Sequence, residues 1–181
     1  MTFTHLDAAG HARMVDVTEK QPTVRSATAR GFVHCAPHVV AALRDDAVPK
    51  GDVLAVARIA GIAGAKRTPE LLPLAHVIGV HGAVVDLAVV DDGVELEATV
   101  RTADRTGVEM EALTAVSVAA LTVVDMVKGL DKGTSIANVR IVAKTGGKSG
   151  DWHRPDEPGR DEPGRDEPGR DEHGPDVPAR P

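Results

Sequence analysis

The feature that most constrains the fold is a long apolar stretch that runs from Thr106 to Lys132. No proline interrupts it, and Ala, Val and Leu recur nearly all the way round a helical wheel. This pattern predicts a helix that is buried on most of its sides. Thr106 and Glu109 have the spacing of a capping box at its start, and Gly129 suits its end.

Charged residues stand among these apolar ones: Glu109 and Glu111 near the start of the stretch, Asp125 and Lys128 near its end. Charges inside an apolar helix cost free energy unless they are paired or used. Asp125 and Lys128 are three residues apart and share a helix face. They form either an ordinary surface ion pair or, because their neighbours are apolar, a partly buried pair tuned for proton transfer.

Glu111 and Asp125 point to an arrangement of more than one chain. Asp125 follows Glu111 by fourteen residues, which puts both on nearly the same face but about 21 Å apart along the helix axis. One small substrate cannot easily touch both residues on one copy of the helix. If both belong to one site, the simplest arrangement is two subunits with this helix near a symmetry axis.

The C-terminal segment 151–181 differs in composition from the rest of the chain. It holds seven of the twelve prolines, and Glu-Pro-Gly-Arg-Asp repeats three times within it. Such a short polar period has no apolar face to bury, so we expect a disordered charged tail or, as the alternative, a partner-binding tail. Residues 1–150 then form one domain.

The charge of that domain limits its partners. Without the ten acidic and five basic side chains of the tail, the chain's 27 acidic and 21 basic residues become 17 and 16. A nearly neutral domain argues against a general nucleic-acid surface. No apolar run approaches the ~20 residues that span a bilayer, and the N-terminus lacks a signal region. We therefore expect a cytoplasmic protein without nucleic-acid or membrane partners.

The other segments predict an α+β fold. Alternating and turn-bounded runs predict strands, and capped apolar runs predict helices. In chain order these are a strand at 23–35, helices at 37–47 and 53–66, strands at 78–90 and 94–102, the long helix, and a strand at 138–144. This order fits a ferredoxin-like two-layer sandwich, with an antiparallel sheet and helices on one face. A parallel Rossmann sheet fits poorly, because no glycine-rich turn joins a strand to a helix.

Three short motifs bear on chemistry. The loop Gly146–Gly150 is not a P-loop, because Val142 stands where that pattern needs a glycine. With Lys144 and Lys148 the loop either holds phosphate or is a flexible segment with solvated lysines. The single cysteine and the histidine spacings match no metal-binding pattern, so we predict no metal site and no cofactor. His76, between two apolar runs, is by itself more often a packing residue than a catalyst.

Six longer segments carry a specific likeness: MVDV (14–17), KGDVLAVARIAGIAGAKRT (50–68), LLPLAH (71–76), TGVEMEALTAVSVAAL (106–121), DMVK (125–128) and KTGGKSGDW (144–152). Together they resemble the molybdenum-cofactor biosynthesis protein C family, the cyclic pyranopterin monophosphate synthases. The resemblance covers most of residues 4–152. It implies a ferredoxin-like fold and a homohexamer, a trimer of dimers, with active sites between subunits.

The resemblance also implies a reaction and its residues. The family's lyases convert 3′,8-cyclo-7,8-dihydroguanosine 5′-triphosphate to cyclic pyranopterin monophosphate and diphosphate. This chemistry needs groups that move protons and cations that stabilise the leaving diphosphate. The positions that match catalytic residues are Asp125, Lys128 and Lys50. The positions that match substrate-binding residues are Leu74, Ala75, His76, Met110 and Glu111.

The chain departs from the family pattern at two positions. The family's Leu-Cys-His-Pro reads Leu74-Ala75-His76-Val77 here. Loss of the proline frees the loop that positions His76, and loss of the thiol removes a weak polar group. The alternatives to the lyase are therefore a catalytically weakened paralogue that binds a purine or pterin nucleotide in an oligomer, or a small-ligand regulatory domain.

Overall fold

The computed structural model describes residue 7 and residues 9–155. Almost all of the predicted tail lies outside these residues. In chain order the elements are β1 Thr23–His34, α1 Pro37–Arg44, α2 Val53–Ala65, α3 Thr68–Leu71, β2 Gly82–Val90, β3 Gly93–Asp104, α4 Glu109–Val127, β4 Ser135–Thr145 and β5 Trp152–His153. The strands form one antiparallel sheet in the order β2-β3-β1-β4-β5.

The predicted α+β sandwich of ferredoxin-like kind is confirmed. Along β1 and β3 every second residue is buried, because successive side chains point to opposite faces of a sheet. The buried face of β3 consists of Val94, Leu96, Ala98 and Val100. These side chains form the core with α4, which contacts β1, β3 and β4, and with α2, which packs beside α4.

Small residues bring α2 and α4 close together. Asp52 caps α2, and its carboxylate accepts a hydrogen bond of 2.9 Å from the amide of Ala55. A Cβ at Gly61 would lie 2.9 Å from the carbonyl oxygen of Ala115 in α4. Only glycine allows this close approach of the two backbones.

The long helix differs from its prediction at its start. It begins at Glu109, and Val108 occupies the N-cap position without a side-chain hydrogen bond, so the predicted capping box is wrong. Glu109 is used differently: its carboxylate lies 3.3 Å from Nζ of Lys144 in β4. At the other end α4 stops at Val127, close to the predicted end.

The prediction about membrane-spanning runs also needs correction. By length and composition alone, α4 is long and apolar enough to cross a membrane. Its packing is that of a core helix, because ten of its residues, from Glu111 to Val127, are buried.

Two strands also differ from the prediction: β2 begins at Gly82 instead of 78, and β5 was not predicted.

Candidate active site

A cavity of about 540 Å³ lies beside the first turn of α4. One wall belongs to α4, a second to the segment after α3, and a third to the N-terminal arm. The lining includes all five positions that the resemblance matched to substrate binding: Leu74, Ala75, His76, Met110 and Glu111. A volume of this size suits a small organic molecule.

Glu111 is the buried carboxyl group of this cavity, with only 3% of its surface exposed. Burial raises the pKa of its side chain, and the nearby carboxylate of Glu109 raises the pKa further, whereas His76 acts against this shift. A carboxyl group in this state holds its proton to higher pH than usual. Glu111 can therefore donate a hydrogen bond or a proton inside the cavity.

His76 connects the cavity to the arm. Its Nε2 lies 2.7 Å from the carbonyl oxygen of Val15. A carbonyl oxygen only accepts, so Nε2 carries the hydrogen and Nδ1 of the neutral ring remains an acceptor. Val15, Val17 and Lys20 of the arm line the cavity as well. The arm, residues 9–22 before β1, therefore forms part of the cavity wall.

The three residues matched to catalysis form a separate cluster at the other end of α4. Asp125 accepts from both lysines: its Oδ1 lies 2.6 Å from Nζ of Lys128, and its Oδ2 lies 3.0 Å from Nζ of Lys50. Nζ of Lys50 also donates to the backbone carbonyl oxygen of Asp125 at 2.7 Å. Local spacing predicted the first contact, but Lys50 comes from a distant part of the chain.

The two lysines determine the charge of this cluster. Hydrogen bonds from Lys128 and then Lys50 lower the pKa of Asp125. The carboxylate therefore stays ionised at neutral pH, between two ammonium groups. The side chains of Asp125 and Lys128 are 57% and 58% exposed, so the interpretation as a partly buried pair is wrong for the single chain. The apolar neighbours of Asp125 point inward, while the carboxylate faces solvent.

The single chain keeps the eight predicted positions in two groups. Glu111 and Asp125 both lie on α4, and at 1.5 Å per residue about 21 Å of helix separates them. Three further lysines lie outside these two groups. Lys144 pairs with Glu109 and donates a hydrogen bond of 2.7 Å to Oγ of Ser149. Lys66 and Lys148 are exposed. Among the described residues, no group of three or more His, Cys, Asp or Glu is arranged to hold a metal ion.

Comparison with known proteins identifies the chain's relatives. It is 68% identical to the cyclic pyranopterin monophosphate synthase of Streptomyces coelicolor over 152 residues, which is 84% of this chain and 89% of that protein. Proteins with the same name from a Nocardioides species and from Geobacter sulfurreducens are 60% and 54% identical, over 84% and 85% of this chain and 96% and 98% of their own. The MoaC family model matches residues 14–147, which include both ends of α4. The chain therefore belongs to the MoaC family.

Proposed function

We propose that the protein is a cyclic pyranopterin monophosphate synthase of molybdenum cofactor biosynthesis. As such it is a lyase that converts 3′,8-cyclo-7,8-dihydroguanosine 5′-triphosphate to cyclic pyranopterin monophosphate and diphosphate. The observation that carries this proposal is 68% identity, over 84% of the chain, to a protein of that name.

The reaction defines what the residues must do. A hydroxyl oxygen of the substrate forms a new bond to the phosphorus that stays in the product. The bond from that phosphorus to the leaving diphosphate breaks, and the hydroxyl proton passes to a base. The ring rearrangement adds further proton transfers without net oxidation or reduction. Proton-moving side chains and fixed positive charge therefore suffice in principle.

The cluster at the end of α4 suits the charged part of this reaction. Lys50 and Lys128 supply ammonium groups on both sides of the Asp125 carboxylate. Because the carboxylate stays ionised, its role is to orient the two lysines and to accept a proton from a well-placed donor. The lysines stabilise negative charge on phosphate oxygens, and either can deliver a proton. We assign Asp125, Lys50 and Lys128 as the catalytic residues on this basis.

The cavity at the start of α4 suits the ring system. Leu74 and Met110 provide apolar contact area, being 43% and 42% exposed beside the cavity. Glu111 and His76 offer the polar groups of the cavity: a carboxyl group whose pKa burial raises, and an imidazole that a hydrogen bond to the Val15 carbonyl oxygen orients. We assign Leu74, Ala75, His76, Met110 and Glu111 to substrate binding.

One complete site then needs two copies of the chain. The cavity of one subunit would meet the Asp125 cluster of another, as the separation along α4 requires. Exposed apolar side chains on the helical layer support a covered surface there: Val56, Ile59 and Leu121 are 45%, 69% and 59% exposed. We propose a homohexamer, arranged as a trimer of dimers, in the cytoplasm.

The test is an anaerobic assay with the cyclised dihydro-GTP that follows diphosphate release. Wild-type protein should turn over, and Asp125→Ala should not. Asp91→Ala is the matched control, because Asp91 forms a surface ion pair with Arg44 and is 97% exposed. Wild-type hexamer that binds the nucleotide but releases no diphosphate would favour the weakened paralogue, to which Ala75 and Val77 point. A monomer in native mass spectrometry would contradict the proposal that two subunits share each active site.

A further inference from the structure

The segment between α3 and β2, residues 72–81, has no regular secondary structure and is called the cavity loop below. It forms one wall of the cavity, with Leu74 and His76 among the lining residues. The proline of the family pattern is absent, because Val77 follows His76. Without a proline the backbone φ angle at this position is not fixed, so the contacts of the loop with its neighbours must hold the wall in place.

Both ends of the cavity loop are attached to other segments. Toward the arm, Nε2 of His76 lies 2.7 Å from the carbonyl oxygen of Val15. Toward β3, the backbone of Gly79 is held by two side chains. Oγ1 of Thr102, a buried residue, donates to the Gly79 carbonyl oxygen at 2.6 Å. Oδ2 of Asp104 accepts from the Gly79 amide over a longer distance of 3.4 Å.

His81 adds a third contact with β3, at the point where β2 begins. Gly82 is the first residue of β2 and pairs with Arg101 of β3. The amide of Ala103, two residues further along β3, lies beyond this pairing. Nδ1 of His81 accepts the hydrogen of that amide at 3.2 Å. The imidazole therefore takes the place of a backbone partner, which explains why β2 begins at Gly82 and not at 78.

This hydrogen bond requires the neutral ring of His81. A backbone N–H only donates, so Nδ1 must be an acceptor, and the neutral ring carries its hydrogen on Nε2. In the protonated ring both nitrogens carry hydrogen, and Nδ1 no longer accepts from Ala103. His76 differs, because its Nε2 keeps a hydrogen for Val15 in both charge states. Since His81 is exposed to solvent, acid detaches the β3 end of the loop and leaves the arm end attached.

Charged and titratable residues of the neighbouring elements influence the same proton. They are Arg101 and Asp104 of β3, Glu109 and Glu111 of α4, Lys20 of the arm and His76 of the loop itself. All of them remain when only His81 is replaced. A comparison of such a variant with wild type at one pH therefore isolates the proton of His81.

We propose that His81 is a positioning residue for the substrate: its neutral ring holds the cavity loop on β3, and a proton on that ring loosens the loop and weakens binding. It acts through Leu74 and His76, which line the cavity. That the bound molecule is the nucleotide of the lyase reaction rests on the proposed function. The Asp125 cluster lies at the other end of α4, so the effect belongs to KM and not to kcat.

The experiment is steady-state kinetics from about pH 5.5 to 8.5, the range in which histidine changes charge. His81→Asn keeps an acceptor, because its Oδ1 can take the place of Nδ1, and it does not titrate in this range. His81→Ala removes the acceptor. His34→Asn is the matched control, because His34 is an exposed histidine at the end of β1. The measured quantity is the ratio of each variant's kcat/KM to that of wild type.

At the alkaline end wild type and His81→Asn should be equal, and His81→Ala should have a kcat/KM about two- to tenfold lower, the range of one neutral hydrogen bond. At the acid end wild type should fall to the level of His81→Ala, through KM, while His81→Asn keeps its advantage. His34→Asn should follow wild type throughout. A ratio of wild type to His81→Asn that stays constant with pH would overturn the proposal. So would a loss in kcat alone, or His81→Asn no better than His81→Ala at the alkaline end.

Hydrogen–deuterium exchange tests the same contact without turnover. Peptides that cover the cavity loop and the end of β3 should exchange faster in His81→Ala than in His81→Asn at one pH. Wild type should match His81→Asn at the alkaline end and approach His81→Ala at the acid end. This pattern in a protein that releases no diphosphate would reject the proposed lyase and keep the role of His81 in holding the loop. Equal exchange in all three proteins would reject that role, whatever the lyase assay shows.

Discussion

The two ends of α4 carry the same kind of group in opposite surroundings. Glu111 is 3% exposed, and burial raises its pKa. Asp125 is 57% exposed, and two lysines lower its pKa. One helix therefore presents a carboxyl group whose pKa is raised at one end and a carboxyl group whose pKa is lowered at the other. The walls of the cavity come from the chain itself, whereas the side chains of the lysine cluster are about half exposed in the single chain.

The largest expected effect tests whether the two ends act in one site. Asp125→Asn and Glu111→Gln should each lower kcat by about 10²–10⁴-fold if both residues take part in proton transfer. A mixed oligomer of the two variants contains some sites that have both native residues. Random pairing of equal amounts would restore about a quarter of the wild-type activity, by the symmetry of a two-fold dimer.

This complementation is measured after the two variants are coexpressed with different affinity tags. The matched control is Asp91→Asn coexpressed with Glu111→Gln. The Asp91→Asn subunits retain both Glu111 and Asp125. A mixed dimer therefore keeps one intact site, whether each site lies within one chain or is shared by two. If the Asp125→Asn mixture recovers no activity although mixed oligomers are isolated, each site lies within one chain. The interpretation of α4 as a helix that serves two sites would then be wrong.

The next effect concerns the middle of α4, which supports both ends. Gly61→Ala inserts a Cβ 2.9 Å from the carbonyl oxygen of Ala115, and overpacking of this kind costs about 1–3 kcal/mol. The better helix propensity of alanine offsets up to about 1 kcal/mol of this. We expect a net loss of about 1–2 kcal/mol in the free energy of unfolding, on the same principles.

Gly129→Ala is the matched control for this loss. A Cβ at Gly129 meets no atom within 4 Å, so its stability should stay within about 0.5 kcal/mol of wild type. Denaturant titration measures both variants. Equal stability of the two would mean that α2 and α4 can move apart without cost, and would contradict the requirement for glycine at position 61.

The pH dependence of stability should have opposite signs at the two ends. The raised pKa of Glu111 means that the folded state binds its proton more tightly than the unfolded state. Its stabilising contribution is therefore present below the ordinary value of 4.5 and is lost as the pH rises through the folded pKa. The lowered pKa of Asp125 acts in the other sense: its contribution is present above 3.8 and is lost as the pH falls.

Unfolding free energies of wild type, Glu111→Gln and Asp125→Asn, measured from pH 3 to pH 8, separate these contributions. The difference between wild type and Glu111→Gln should shift against wild type as the pH rises above about 4.5, the ordinary value for glutamate. The difference between wild type and Asp125→Asn should shift against wild type only toward acid. Curves of the same sign would show that the two carboxyl groups share one environment.

Local features of this fold could be predicted from the sequence better than contacts between distant segments. The extent of α4 and the ion pair of Asp125 with Lys128 follow from neighbouring residues, and the structure has them. Contacts between distant segments do not follow in this way. The bonds from Lys50 to Asp125 and from His76 to Val15 join residues 75 and 61 positions apart.

The wrong predictions have the same origin. The capping box failed because Glu109 finds Lys144 of β4, a stronger partner than a backbone amide. Of the two interpretations of the pair of Asp125 and Lys128, partial burial does not hold for the single chain, because the apolar neighbours that suggested it lie on the inner faces of α4. The family resemblance supplied the residues of both ends, and helix spacing predicted their separation, but the contact of Lys50 with Asp125 could not be predicted in this way.

The smallest expected effect concerns the two departures from the family pattern, Ala75 and Val77. Ala75 is half-buried and lines the cavity, whereas the side chain of Val77 is 89% exposed and does not line it. Ala75→Cys adds one weakly polar atom to the wall, and Val77→Pro stiffens the loop that carries His76. Together they should raise kcat/KM by less than about tenfold, which is the range of one weak contact.

Steady-state kinetics of the single and double variants measures this effect. Val77→Ala is the control, because alanine removes the exposed side chain without restraining the backbone. A gain of several hundredfold would instead show that the cavity end of α4 is catalytically impaired in this chain, and would make the weakened paralogue the better description.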